Sequence, residues 1–91
     1  MSFSAHRRDA LNSDLPLHNR ASHARSCAVH VAQKWRVKRS VVLYAVYQKC
    51  GVDLSVVGAD IEIEKAIRAL EDLKLQGLPG LDNAEVSVAP D

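Results

Sequence analysis

The chain has 91 residues, of which 47% are hydrophobic and only 4% aromatic; this excludes a wholly disordered segment and leaves one small domain with a core of Ala, Val, Leu and Ile. Its net charge of +1 conceals two halves of opposite sign, with eight Lys/Arg against two acids up to Ser40 and four against nine from Val41 onward. Two cysteines outside any CxxC pair exclude a disulfide framework, and no run approaches the roughly 18 apolar residues of a membrane span, so a cytoplasmic protein with free, packed thiols and no membrane partner is expected.

Residues 1–17 carry no sustained periodicity, and Asn12, Ser13, Asp14 and Pro16 cluster as a turn. This stretch reads as a mobile N-terminal arm or a short, marginal helix. A helical domain is expected over residues 18–78, with Ser22 as the N-cap of its first helix. From there Ala24, Ala28, Val31, Trp35, Val42 and Val46 fall within a narrow arc at about 100° per residue. Lys38 and Arg39 interrupt the stripe. Either their stems lie over apolar surface while the charges reach water, or the helix breaks there into two.

The densest apolar run in the chain follows, from Val41 to Tyr47. A strand is open for this run, since Val and Tyr favour sheets, but the continuing period favours a helix. Gly51, with Val52 after it, predicts a Schellman-type stop. A second helix is expected after Asp60, with Asp60, Glu62 and Glu64 near the positive end of its dipole. Its stripe of Ile63, Ala66, Ile67, Leu70 and Leu73 is clean, and Gly77, Leu78 and Pro79 repeat the stop. Residues 79–91 read as a flexible acidic tail. The expected fold is therefore all-α: a long first helix and a shorter second one, forming a helical hairpin that assembles as a dimer.

No paired carboxylates with a histidine, phosphate-binding loop or nucleophile motif can be assembled, so neither an enzyme nor a cofactor is expected. His23, Cys27 and His30 share one side of the first helix at i, i+4, i+7, a spacing suited to a transition metal. No fourth ligand is evident, and a solvated histidine-bearing surface is the simpler reading. Lys34, Arg36, Lys38 and Arg39 around Trp35 suit phosphates and a stacked base. Trp35 also belongs to the apolar stripe, however, and the helix after Gly51 opens with acids that phosphates repel.

The expectation that carries most weight concerns the run after Ser40. A helix that is apolar nearly all round is normally buried nearly all round, and a second helix with one stripe covers only one face. A partner chain should cover the rest. Trp35, Arg36, Arg39, Val42, Leu43, Tyr44, Val46 and Tyr47 are the expected partner-binding residues, several of them types in which binding energy concentrates. A homodimer alone, or a nucleic-acid-binding basic helix, are the alternatives.

In its Trp35–Arg39 basic stretch, its Val41–Tyr47 run and its helix over residues 61–76, the chain resembles the small bacterial antiactivators of quorum sensing. That resemblance implies a helical, dimerising protein that binds a transcription factor, a LasR-like regulator, and blocks its dimerisation and DNA binding. It implies neither cofactor nor catalysis.

Overall fold

A computed structural model describes residues 2–78. Met1 and the expected acidic tail at 79–91 lie outside the described residues. Four helices follow one another: α1 (Phe3–Ala10), α2 (Leu17–Trp35), α3 (Arg39–Cys50) and α4 (Asp60–Gln76). Among the described residues there is no strand, so the run from Val41 to Tyr47 is helical.

The all-α expectation holds, but the long-plus-short hairpin does not. Residues 1–17, expected as an arm or a short, marginal helix, contain the eight-residue α1. Its N-terminus is capped by Ser2, whose Oγ accepts from the Ala5 N–H at 3.2 Å. Phe3 and Ala10, two turns apart, are both buried. The helix runs antiparallel to α2: the Cys27 thiol donates to the Phe3 carbonyl, and Arg20 Nε donates to the Ala10 carbonyl at 2.8 Å.

Ser22 is not a cap. The helix begins five residues earlier, at Leu17 after Pro16, because Pro16 has φ −59° already set for helix entry. The first turns then bury Arg20, Ala21 and Ala24 at helical spacing.

The expected long helix is broken, and the break falls at Arg36 rather than at Lys38 and Arg39. Arg36 takes the left-handed conformation (φ 58°, ψ 45°). Its N–H donates to the Gln33 carbonyl, while the Val37 N–H donates to that of Ala32. Those two bonds make a Schellman motif with arginine in the place glycine usually fills. By contrast, α3 ends at Gly51 (φ 78°) through a single Gly51 N–H bond to the Tyr47 carbonyl at 2.7 Å. This is the simpler αL stop, not the expected Schellman one. The helix α4 ends at Gly77 (φ 94°, ψ 174°), a backbone region open essentially to glycine alone.

The core is a single cluster of small and branched residues. Ala24, Cys27, Ala28 and Val31 from α2 meet Val42 and Val46 from α3 and Ile63, Ala66, Ile67, Leu70 and Leu73 from α4. Leu54, fully buried, enters from the loop after α3, where its carbonyl accepts from Arg25 at 2.9 Å. Helices α2 and α4 run in the same direction, clasped at both ends. Near their N-termini the buried Arg20 reaches Asp60 at 2.9 Å. At their C-termini Trp35 Nε1 donates to the Leu73 carbonyl at 2.9 Å, and Lys34 Nζ to that of Lys74 at 2.7 Å. Lys34 thereby satisfies a carbonyl of the last turn of α4, while Trp35 shares the Leu73 carbonyl with the capping Gly77 N–H at 3.0 Å.

Candidate protein-binding surface

The surface expected to bind a partner is built on α3, and the helical period divides its residues into two groups. Val42, Ala45 and Val46 point inward and are buried. Val42 and Val46 therefore belong to the chain's own core and cannot serve as contact residues, which corrects their place among the expected partner-binding positions. On the opposite side Val41 is 41% exposed, Tyr44 61% and Tyr47 53%. Leu43, half-buried, flanks the tyrosines, and an open recess is lined by Leu43, Tyr44, Tyr47 and Asp53. Two large aromatics one turn apart, with an aliphatic residue on each side, make a contiguous apolar stripe facing solvent. Monomeric proteins seldom leave such a stripe uncovered.

The N-terminal end of this stripe is strongly basic. Arg36, Lys38 and Arg39 are all exposed, and none forms an ion pair among the described residues. Their charges also lie beside the positive end of the α3 dipole, with no acidic residue in its first turn to offset it. The arrangement costs stability and creates a local positive field at one end of an apolar face. Arg36 adds a second cost, since an L-residue in the left-handed region is strained by about 1–2 kcal/mol.

Trp35 is placed elsewhere. It is half-buried, its N–H is engaged by Leu73, and its six-membered ring lies where a side chain at Gly77 would meet it. The ring thus seals the seam between α2 and α4. Lys34, with its ammonium on the Lys74 carbonyl, belongs to the same seam. The basic stretch around Trp35 therefore divides: Lys34 and Trp35 hold helices together, while Arg36, Lys38 and Arg39 remain available.

The His23, Cys27, His30 spacing resolves differently again. Cys27 is fully buried, and burial pushes its thiol up to about 12, so it neither ligates nor reacts as a thiolate near neutral pH. The imidazoles are joined instead by His6 from α1, whose Nδ1 lies 3.0 Å from His23 Nδ1. No group of three or more His, Cys, Asp or Glu side chains among the described residues is arranged to hold a metal ion. Both cysteines are free. No described helix is long and apolar enough to cross a membrane.

Val41, part of the apolar run but not among the expected partner-binding residues, lies on the same side of the helix as Tyr44 and is exposed with it. His6 was not singled out in the sequence at all, because only the packing of α1 on α2 brings it to His23. Compared with protein-family models, curated proteins and solved structures, the chain matches none of them.

Proposed function

We propose that this chain is a small helical protein-binding regulator, and that the outer face of α3 is its contact surface. The observation that carries the reading is the exposure of Val41, Tyr44 and Tyr47 together on one helix whose other face is already filled. Tyrosine supplies a large contact area at low entropic cost, and such residues dominate the energetics of interfaces. The three exposed cations at the N-terminal end suit a partner with an apolar helix face bordered by acidic side chains, which Arg36, Lys38 and Arg39 would attract during approach. An arginine at a left-handed position, where glycine is less strained, fits a guanidinium that serves contact.

The resemblance to quorum-sensing antiactivators extends this proposal to a particular partner, a LasR-like transcription factor. Capping the apolar face through which such a regulator pairs would leave it monomeric and unable to hold its operator. Catalysis and a cofactor have no part in this proposal. Homodimerisation through the same face is the competing occupant, and the two make opposite predictions about free protein in solution.

The test uses the full-length chain and a LasR-like regulator bound to labelled operator DNA, followed by fluorescence anisotropy. Wild-type protein should release the DNA, whereas Tyr44→Ser/Tyr47→Asp should fail to do so with unchanged far-UV circular dichroism. Release of the DNA by both proteins alike would refute the assigned face. Salt-sensitive binding of the chain to DNA in the absence of the regulator would favour a nucleic-acid-binding protein instead. A stable homodimer at nanomolar concentration, dissociated by the double variant, would assign the same face to self-association.

A further inference from the structure

The seam between α1 and α2 contains three imidazoles and one carboxylate. His6 of α1 lies between His23 and His30 of α2, with ring centroids 5.2 Å and 5.5 Å away. His6 Nδ1 and His23 Nδ1 are 3.0 Å apart, a hydrogen bond in which one nitrogen must carry a proton and the other a lone pair. Asp9 lies 3.8 Å from the other nitrogen of His23, Nε2. That carboxylate favours the proton on Nε2 and leaves Nδ1 of His23 as acceptor, so His6 is the donor.

We propose that this histidine cluster is an acid-sensitive latch that holds α1 on α2 at neutral pH and releases it in mild acid. Acid opposes this packing. A proton gained by His6 makes it a cation between the rings of His23 and His30, and a proton on the accepting nitrogen of the pair would remove its lone pair and set two N–H groups against each other.

The surroundings offset that charge only in part. Asp9 is the carboxylate at the cluster, 3.8 Å from His23 Nε2, and Arg8 shares it at 3.2 Å. On α1 the neighbouring Arg7 is paired with Glu71 of α4, and that pairing takes up the acid. Lys74 of α4 sits 4.4 Å from the centre of the Phe3 ring and is itself cationic. On α2, Cys27 stays neutral, and the buried Arg20 is directed to Asp60. Partial burial together with His23 and His30 already holds His6 below its ordinary value, against the opposing pull of Asp9.

The sign follows from that depression. The unfolded chain binds a proton on His6 more readily than the folded one. The contribution of the cluster is therefore complete above about pH 6.5, the ordinary histidine value, and falls as the pH drops below it. Beside the cluster, α1 is held by Phe3 and Ala10 in the core, Leu11 packed against it, the Arg7–Glu71 pair, the Arg20 and Cys27 bonds and the Lys74 ammonium over Phe3. Local opening of so small an element requires far less free energy than global unfolding.

The test is amide hydrogen exchange of the full-length chain at pH 7.5 and pH 5.0, corrected for intrinsic rates. Protection of residues 4–11 should fall on the order of tenfold at the lower pH, while protection in α4 stays constant. The His6→Gln variant should abolish this difference, because an amide can donate to or accept from His23 without titrating. His23→Gln makes the reciprocal change and should do the same. Equal protection of α1 at both pH values in wild type would overturn the latch, and so would an undiminished pH effect in both glutamine variants.

Discussion

Two arginines show how one residue type serves opposite ends at the scale of single side chains. Arg20 is buried, with its guanidinium shared between the Ala10 carbonyl and Asp60. It thereby ties the end of α1 and the start of α4 to the middle layer. Replacing it by methionine keeps much of the volume but leaves a buried carbonyl without a partner. We predict a loss of about 2 kcal/mol, read from the midpoint of urea unfolding. Arg36 is exposed and strained. Arg36→Gly should relieve the left-handed backbone and, after the entropy gained by the unfolded chain is deducted, raise stability by about 0.5–1 kcal/mol. The same variant should bind the partner more weakly. A gain in stability accompanied by lost affinity is the signature of a residue kept for contact; a loss of stability would show that Arg36 makes a structural bond.

At the scale of helices, periodic signals were legible and sparse ones were not. The α4 stripe of Ile63, Ala66, Ile67, Leu70 and Leu73 is buried throughout, because five apolar residues at regular spacing admit one helix face and no other. Gly51 and Gly77 both have positive φ at the expected helix ends. The start of α2 was misplaced because Pro16 performs with a fixed φ what Ser22 was expected to do with a hydroxyl. The break at Arg36 carries no glycine to announce it, and only its hydrogen bonds reveal the motif. Helix α1 has just two buried residues, Phe3 and Ala10; it is held by bonds to residues far along the chain, which no local pattern encodes. The N-terminus of α4 offers a further check. Glu62 Oε1 accepts from the Gly58 and Ala59 N–H groups at 2.6 and 3.0 Å, but Ala59, the N-cap, has no side-chain acceptor to return the bond. Its extended backbone (φ −152°, ψ 153°) suits a capping residue. Ala59→Ser should complete the box and add about 1 kcal/mol, measured as a rise in the urea midpoint at unchanged slope.

At the scale of the whole molecule, the sequence reading placed the candidate surface on the stretch that forms α3 without dividing its residues between inside and outside. A run apolar on all sides does not say which side faces inward. The small α2–α4 layer takes Val42, Ala45 and Val46 into the core and leaves Val41, Tyr44 and Tyr47 outside. Trp35 was drawn into the α2–α4 seam by a hydrogen bond from its indole. Among the described residues the result is four helices with an aromatic face at one side and, at the end of that face, three cations without a salt-bridge partner, the features on which the proposed interface rests. A control surface exists in the same molecule: Leu75 of α4, 76% exposed, lines a recess beside the buried Phe3 and lies outside the α3 face.

The most direct measurement is therefore a pair of affinities for the same LasR-like regulator, obtained by titration calorimetry with Tyr44→Ser/Tyr47→Ser and with Leu75→Ser, each compared with wild type. Two interfacial tyrosines at about 1–2 kcal/mol apiece predict a weakening of roughly a hundredfold for the first variant and an affinity unchanged within twofold for the second. Equal affinities for wild type and the double tyrosine variant, or a larger loss at Leu75, would contradict the assignment of the outer face of α3.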